Sequence, residues 1–385
     1  MTRISLYIFF IFFVFEAGFS QTDSTKKSHH HKLVLGSDSN IVFSGTRIVT
    51  KTDTGDFHKI ELSGYVSTYY AHYSDEKQTN GFVQFPTMAA RNNQFGLNMA
   101  QIGMEYHNQN LRSNITLHYG DIPETNWPKP FTLIQEAHAG VKLIKNLWLD
   151  AGFFKSHIGL ESIQPRENVT SSMSVIDYYE PYFFSGAKLT YQLNSKLSIQ
   201  VNAFNGYNTY VETNKNKALG FSALYDINNN ISITYNLLSC DETADNVSTK
   251  HQRYYHNLYG TFKLNKFSIG IEGNYGTQQH SLLTDTSKTA SMHSALLILK
   301  YQALKKLAVY GRGEYFSDQN RILTSNLDIG KYIYGVTGGL EFKPYKTVAL
   351  SAEYRLLQSD NLIFKENSHI LNQRHEFIFC LDVWF

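Results

Sequence analysis

Histidine, serine and aspartate side chains are the groups in this chain that could perform nucleophilic chemistry. Six histidines have serine or aspartate residues near them: His72, His118, His157, His251, His280 and His293. A hydrolase needs a Ser–His or Asp–His pair within hydrogen-bonding reach, with a third group that orients the base. No spacing distinguishes one such pair from the many other polar residues. The sequence therefore predicts no catalytic residue, and an enzyme remains an alternative rather than the favoured interpretation.

A histidine triplet near the amino terminus, Ser28-His-His-His-Lys32, is the one short motif that suggests metal binding. Metal sites in proteins normally combine several ligand types at defined spacings, such as cysteine or carboxylate with histidine. No cysteine or carboxylate cluster accompanies this triplet, so a solvated tail is the favoured interpretation. We predict no metal site and no cofactor.

The final segment, 374–385, shows most clearly that the polar residues lie on β-strands. Apolar residues occupy every second position: Phe377, Phe379, Leu381, Val383 and Phe385. A period of two indicates a β-strand with one apolar face, and Glu376, Cys380 and Asp382 fall on the other face. An apolar strand at a sheet edge promotes aggregation in a soluble protein. The same strand is expected where it closes a barrel and its apolar face meets lipid.

The rest of the chain repeats this pattern from His58 onward. Alternating runs are joined in turn by tight polar turns and by longer polar loops, and the count is about sixteen strands, with fourteen or eighteen as alternatives. The predicted fold is therefore all-β: a transmembrane antiparallel up-and-down β-barrel with short periplasmic turns and long extracellular loops. A soluble β-sandwich or propeller is the alternative, but it would not explain the terminal aromatic residue or the alternation of short and long connections.

Bulk composition excludes several other classes of protein. The chain has 35 Lys+Arg against 33 Asp+Glu, which gives no basic field for a nucleic acid. The mean hydropathy of −0.32 is too low for a helical membrane protein, whereas a barrel with a wet interior needs apolar residues on only one face of each strand.

The amino-terminal residues have the composition of a secretory signal. Arg3 is followed by the short apolar run Ile4–Phe15 and by small residues at 18 and 20. We predict a signal peptide over residues 1–20, cleaved after Ser20, and therefore export to the outer membrane. Residues 21–57 are predicted to be a polar periplasmic segment, too short to form a plug domain, and residues 58–385 to be the barrel.

Strand alternation also assigns the residues that line the interior. About as many basic as acidic side chains point inward, so a strong selectivity for one sign of ion is not expected. The principal predicted lumen-lining residues are Glu105, Arg112, Glu136, Arg253, Arg312, Glu353 and Asp382. The two cysteines, Cys240 and Cys380, are expected on opposite walls and therefore not bonded to each other.

The loop over residues 156–180 is the longest in the chain, and long loops in compact proteins are usually functional. It contains apolar residues that would not remain in water: Ile158, Leu160, Ile163, Val169, Met173 and Ile176. We expect the loop to fold into the barrel and narrow the pore, although a lid packed on the rim is the alternative. The predicted pore-constriction residues are His157, Glu161, Arg166, Glu167 and Asp177.

Three short sequence motifs in and around this loop carry a family resemblance. They are Ala151-Gly-Phe-Phe-Lys-Ser-His-Ile-Gly-Leu-Glu161, Tyr179-Glu-Pro-Tyr-Phe-Phe-Ser-Gly-Ala-Lys-Leu-Thr-Tyr191 and Phe204-Asn-Gly-Tyr-Asn208. In these motifs and in its layout over 58–385 the chain resembles the OmpL-like β-barrel porins (porin-2 family), except that Tyr207 stands where that pattern has Trp. The resemblance implies an outer-membrane porin-like barrel and supplies no catalytic residues.

The favoured function is passive diffusion of small hydrophilic solutes through a water-filled barrel. The alternatives are an outer-membrane receptor or adhesin that acts through its loops, and a hydrolase in the barrel. The expected partners are outer-membrane lipid, the small solutes and the barrel assembly machinery. Phe385 resembles the terminal residue that this machinery recognises in other barrels. A homotrimer is compatible with the sequence, and nucleic acid is not an expected partner.

Overall fold

Sixteen antiparallel strands form a closed β-barrel, as the sequence predicts. The computed structural model describes residues 47–51, 57–75, 81–366 and 369–385. The barrel strands are β2 (Phe57–Tyr73), β3 (Gln94–His107), β4 (Leu111–Tyr119), β5 (Ile134–Ile144), β6 (Leu147–Lys155), β7 (Phe183–Gln192), β8 (Leu197–Phe204), β9 (Ala218–Asn228), β10 (Ile231–Cys240), β11 (Arg253–Leu264), β12 (Phe267–Gln278), β13 (Ala290–Leu304), β14 (Leu307–Ser317), β15 (Ile333–Tyr345), β16 (Val348–Ser359) and β19 (Gln373–Trp384).

The last strand closes the barrel against the first. β19 pairs with β2 in an antiparallel register that joins Trp384 to Tyr65 and Glu376 to Tyr73. Beyond the strand, the Phe385 N–H donates to the Gly64 carbonyl oxygen at 3.0 Å. Because each of the sixteen barrel strands then has two neighbours, the barrel itself has no free edge to pair with another chain.

Side-chain alternation divides each strand into an outer apolar face and an inner face. On β19 the side chain of Phe379 is 53 % exposed, whereas its neighbour Ile378 is fully buried. β13 repeats this pattern, with exposed and buried residues in strict alternation over Ala290–Tyr301. The outer residues include Leu297 and Leu299, so the exterior carries the apolar band that a lipid bilayer requires.

Connections at one end of the barrel are tight turns, and those at the other end are long loops. We call these the turn end and the loop end. Two of the tight turns place Asn146 and Asn265 at positive φ (67° and 53°), a conformation that asparagine adopts more readily than most residues. Every tight turn is followed by a long loop, which is the asymmetry expected of an outer-membrane barrel.

Small elements decorate the barrel. β17 (Phe364–Glu366) and β18 (His369–Leu371) form a hairpin in the last loop, α1 (Asp121–Asn126) follows β4, and α2 (Val175–Tyr179) precedes β7. β1 (Arg47–Lys51) pairs with the start of β2. An irregular segment was expected there, but Arg-Ile-Val-Thr-Lys contains three consecutive β-branched residues, which favour strands.

Two predictions made at the amino terminus lie outside the described residues. These are the signal peptide with its cleavage after Ser20, and most of the polar segment 21–57. Within the described residues, no helix is long and apolar enough to cross a membrane.

The barrel strands are shorter on one side of the barrel, which we call the low wall, than on the other. β4, β6, β7 and β8 have 9, 9, 10 and 8 residues. By contrast, β13 and β15 have 15 and 13 residues. On the outer face of the low wall, four alanines lie directly opposite one another in one row across adjacent strands: Ala139, Ala151, Ala187 and Ala203.

The two cysteines are free and buried, as predicted. Cys240 ends β10 and Cys380 lies on β19, the ninth and the last strand of the barrel in chain order. Their side chains lie on inward-facing positions of these strands.

Candidate functional site: the loop that crosses the lumen

The longest connection of the barrel joins β6 to β7 and comprises residues 156–182; we call it the crossing loop. It contains a single 3-10 turn, Pro165–Glu167, and the short helix α2. The Ser174 hydroxyl caps α2 by accepting a hydrogen bond from the Asp177 N–H. The loop is therefore ordered by local hydrogen bonds as well as by the wall that it contacts.

Apolar side chains of the crossing loop are buried, as their composition requires. The exposed fraction is 8 % or less for Ile158, Leu160, Ile163, Val169, Met173 and Ile176. Leu160 and Val169 pack in one cluster with Tyr259, Leu296 and Tyr310, which are inward-facing residues of β11, β13 and β14. A loop that leaves the barrel between β6 and β7 thus packs against strands on a distant part of the wall.

Backbone groups of the loop bind carboxylates on this distant wall. The N–H groups of Ser171 and Ser172 donate to the two oxygens of Glu353 on β16, at 2.6 and 3.0 Å. The Val175 N–H donates to Glu314 Oε2 on β14 at 2.7 Å. Hydrogen bonds to a charged acceptor are stronger than those between neutral groups, so these contacts fix the position of the loop.

Arg312 on β14 is the most heavily bonded side chain in this interface. Its Nη1 donates to Glu161 Oε1 at 2.8 Å, to the Ser172 carbonyl oxygen at 2.7 Å and to Thr170 Oγ1 at 2.9 Å. The guanidinium is fully buried, as is the Glu161 carboxylate to within 1 %. Although burial would raise the pKa of Glu161, the Arg312 guanidinium and the Ser174 N–H hold it below its ordinary value.

Arg312 and Glu161 end a chain of alternating charges that runs along the wall. The nitrogen and oxygen atoms of consecutive members lie within 3.6 Å of each other, and no side chain in the chain of charges is more than 4 % exposed. The chain consists of Asp75, Arg374, Glu376, Arg355, Glu314, Arg312 and Glu161. It connects two extracellular loops, through Asp75 and Glu161, to inward positions of β14, β16 and β19.

The middle of the crossing loop contacts a second sector of the wall. Gln164 Nε2 donates to Gln101 Oε1 on β3 at 2.5 Å. The Arg166 N–H donates to the Tyr65 hydroxyl on β2 at 3.1 Å, and that hydroxyl donates to Asp382 Oδ1 at 2.5 Å. The loop therefore touches β2 and β3 as well as β14 and β16.

A cluster of three buried carboxylates lies where the loop meets β12. Oxygens of Asp177, Glu180 and Glu272 lie within 4.8 Å of one another, and the Tyr255 hydroxyl donates to Glu180 at 2.7 Å. Burial and the neighbouring carboxylates raise the pKa of Asp177 well above its ordinary value. Three such oxygens are the ligand type that a divalent cation uses. Among the described residues this is the one group with metal-ligand proximity.

The five predicted constriction residues are divided among different contacts. Glu161 and Asp177 are buried between the loop and the wall. Glu167 accepts a hydrogen bond from the Ser162 hydroxyl at 2.5 Å, and the Arg166 guanidinium lies 5.2 Å from the centre of the Tyr65 ring. His157 lies near β7, where its ring centre is 5.6 Å from that of Phe184. That these residues form the narrowest part of the pore stays a prediction.

The predicted lumen-lining residues all lie on the inner face of their strands. They are Glu105 on β3, Arg112 on β4, Glu136 on β5, Arg253 on β11, Arg312 on β14, Glu353 on β16 and Asp382 on β19. Arg312 and Glu353 take part in anchoring the crossing loop, whereas Arg112 forms an ion pair with Asp150 on β6. Next to this pair, the Lys188 ammonium lies 4.1 Å from the centre of the Phe154 ring.

Sequence reasoning missed Arg374, Asp75 and Glu180. Arg374 has the same alternation phase as Glu376, so counting back one inward position along β19 would have found it. Asp75 and Glu180 lie just outside strands β2 and β7, where a period of two no longer predicts the direction of a side chain.

The histidines that were candidates for a hydrolase do not form a triad in the described part of the chain. The His251 Nδ1 lies 3.2 Å from the Ser281 hydroxyl and 3.2 Å from the Gln279 carbonyl oxygen, so a carbonyl rather than a carboxylate orients the ring. His118 is buried against Trp127, with the ring centres 4.6 Å apart. His72 lies on the exposed side of β2, where its Nδ1 contacts Asn93 Oδ1.

Comparison with known families gives one match that covers most of the chain. Residues 59–385 match the family model described as "Putative beta-barrel porin-2, OmpL-like". A search against curated protein sequences gives no significant match.

Solved outer-membrane channels share the fold at low sequence identity. The channel DcaP of Acinetobacter baumannii is 11 % identical with a TM-score of 0.61, over 87 % of this chain and 99 % of that one. An anion-selective porin from Comamonas acidovorans is 10 % identical with a TM-score of 0.59, over 85 % and 100 %. OmpF of Salmonella typhi, in complex with daunomycin, is 13 % identical with a TM-score of 0.56, over 88 % and 100 %.

Proposed function

Because the chain belongs to the OmpL-like β-barrel porin-2 family, we propose that this outer-membrane porin allows passive diffusion of small hydrophilic solutes past a constriction made by the crossing loop. The observation that carries the proposal is the bonding of Ser171 and Ser172, in a loop that starts at β6, to Glu353 on β16. A loop held across the lumen in this way narrows the path of a solute without any chemical step.

The constriction residues act in two ways. Glu161 and Asp177 are buried, so they position the loop and do not contact a passing solute. His157, Arg166 and Glu167 are only partly buried and can contact a passing solute directly. Because both signs of charge are present and many are paired, we expect weak ion selectivity.

Export and assembly follow from the two termini. We propose that the signal peptide is cleaved after Ser20 and that residues 21–57 remain in the periplasm as a polar segment preceding the barrel, 58–385. Phe385, the residue after β19, is the proposed recognition residue for the barrel assembly machinery. The antiparallel pairing of β19 with β2 supports this, because the last strand is the one that closes the barrel.

Assembly into a homotrimer through the low wall is a further part of the proposal. Strands of 8 to 10 residues are at or just below the length that a tilted strand needs to span a bilayer. The row of Ala139, Ala151, Ala187 and Ala203 on the outer face allows two barrel walls to approach closely. Contact between subunits there would replace a poor match to lipid.

A receptor or adhesin acting through the loops, or a barrel-embedded hydrolase, is the alternative class of function. A liposome-swelling assay with neutral sugars of increasing size distinguishes these from a diffusion channel. The proposal predicts swelling that is fast for monosaccharides and slower for each larger oligosaccharide, because the constriction excludes solutes by size. Liposomes that contain the folded protein and do not swell with any sugar would contradict a diffusion channel.

A further inference from the structure

A cavity of about 530 Å³ lies at the loop end, among the loops that follow β10, β12 and β14; we call it the Arg253 cavity. This volume is within the range of sites that bind small molecules. Arg253, the first residue of β11, lies in its lining together with residues of all three loops. The cavity is thus built by several elements.

Hydrogen bonds between these elements hold the cavity open in one shape. Arg253 Nε donates to Gln278 Oε1 at 2.9 Å, and its Nη2 donates to the Ile322 carbonyl oxygen at 3.0 Å. Gln278 Nε2 donates to the Ser281 hydroxyl at 2.8 Å, and that hydroxyl also contacts His251 Nδ1 at 3.2 Å. A site that is ordered before binding loses less conformational entropy when a ligand enters.

Two opposite charges are fixed in the lining without pairing with each other. Glu242 Oε1 accepts a hydrogen bond from the Tyr207 N–H at 2.8 Å, and the Arg253 guanidinium lies 5.1 Å from the centre of the Tyr207 ring. No nitrogen–oxygen distance between Glu242 and Arg253 is within the 4.0 Å of an ion pair. The cavity therefore offers one carboxylate and one guanidinium at separate positions.

Three of the remaining lining residues supply apolar surface beside polar ones such as Thr243 and His280. Val247, Leu282 and Leu283 contribute to the walls, and the side chains of Val247 and Leu283 are 42 % and 56 % exposed. An apolar ligand group that covers these side chains would remove them from water. The combination of a cation, an anion and an apolar wall is complementary to a molecule with all three features.

We infer that the Arg253 cavity binds short zwitterionic peptides with apolar side chains. The peptide carboxylate accepts hydrogen bonds from the guanidinium N–H groups of Arg253 that Gln278 and the Ile322 carbonyl do not use, and the peptide ammonium pairs with Glu242. The apolar side chain lies against Val247, Leu282 and Leu283. The inference rests on the proposed diffusion function, because binding at the loop end would concentrate such solutes at the mouth of the channel.

Equilibrium dialysis of labelled leucyl-leucine against the full, detergent-solubilised protein tests this site independently of conduction. Two analogues each lack one charge: N-acetyl-leucyl-leucine has no ammonium and leucyl-leucinamide has no carboxylate. We expect both to bind about tenfold more weakly than leucyl-leucine. Arg253→Gln should abolish the preference over the amide, and Glu242→Gln should abolish the preference over the acetylated peptide. Lys288→Gln, in the same outer region and outside the cavity lining, is the matched control and should bind like the wild type.

The outcomes separate the two claims. No binding by the folded wild-type protein, or equal binding of all three peptides, overturns the zwitterion site. If the zwitterion site fails in this way but the protein still makes liposomes swell, the proposed diffusion function stands. Binding with the expected charge dependence but without swelling supports the site and contradicts the diffusion function. Glu242 is an exposed loop residue, so its variant remains informative if Arg253→Gln fails to fold.

Discussion

The Arg312–Glu161 pair shows how one inward residue of the wall fixes the crossing loop. Both side chains are buried, and the guanidinium also binds Thr170 and the Ser172 carbonyl oxygen. Replacing a buried ion pair by apolar groups is often neutral for stability, whereas removing one partner leaves an unpaired buried charge. The pair is therefore best understood as a constraint on where the loop lies.

Arg312→Met should lower the free energy of unfolding by about 3–5 kcal/mol, because Glu161 and Glu314 lose their shared cation. Denaturant unfolding of the refolded barrel measures this change. Arg321→Met is the matched control, since its pair with Asp328 is solvent-exposed and should contribute at most about 1 kcal/mol. Equal losses in the two variants would show that the buried pair does not hold the loop.

Asp177 gives the crossing loop a dependence on pH. Its pKa is raised in the folded state, so its contribution to stability is complete below the ordinary value of 3.8 and is lost as the pH rises through the folded-state value. Asp177→Asn cannot ionise and should be more stable than the wild type at neutral pH, with the difference shrinking toward pH 4. Thermal unfolding across this range measures the difference. A stability difference between Asp177→Asn and the wild type that grows as the pH falls would contradict a raised pKa of Asp177.

Alternation predicted the direction of residues within strands but not their pairing. It placed Glu353 and Arg312 on the inner face, because a period of two fixes the face of a strand residue. It could not predict that Glu353 binds the N–H groups of Ser171 and Ser172. That contact joins positions about 180 residues apart, and it depends on how the loop folds inside the closed barrel.

At the scale of elements, the crossing loop is held by both of its halves. Residues 170–175 bind β14 and β16, and residues 164–166 bind β2 and β3. The apolar residues in its sequence predicted burial, since a polar loop would have stayed in water. The choice between folding inward and covering the rim depends on acceptors such as Glu314 that only the assembled wall presents.

A disulfide between the loop and β16 tests this position directly. The Ser171 and Ser351 hydroxyls are 2.7 Å apart, so the pair S171C and S351C should form a disulfide under mild oxidation, in a C380S background that is used for every variant because the native Cys380 is paired with Ser351. The matched control is S171C with A352C, because residue 352 points to the opposite face of β16 and should not react with the loop. Faster migration of the oxidised protein in non-reducing electrophoresis reports the bond. Cross-linking by the control pair alone would contradict the position of the loop.

At the scale of the molecule, the closed sheet explains why the sequence is half polar. Outer residues such as Phe379 meet lipid, and inner residues such as Glu353 bind the crossing loop. Strand number and the order of turns and loops were predictable, because side-chain alternation marks each strand and turn residues mark its ends. The unequal height of the wall was not recognised, because the ends of strands are the least certain part of such a prediction.

The low wall gives a prediction about assembly. Ala187→Trp places a large side chain in the middle of the alanine row and should convert a trimer to monomers by preventing close approach of two walls. Light scattering in detergent measures the particle mass. Leu297→Trp, on the outer face of the taller wall at β13, is the control and should leave the trimer intact. A wild-type protein that is monomeric would contradict the proposed trimer.

Single-channel conductance in a planar bilayer tests the central claim, that the crossing loop constricts a water-filled porin. The wild type should give stepwise currents, and deletion of residues 162–176 should raise the size of each step about twofold or more, because the groups that cross the lumen are removed. A folded deletion variant with the conductance of the wild type would contradict a constriction by this loop. The absence of steps from both proteins would contradict diffusion through the barrel.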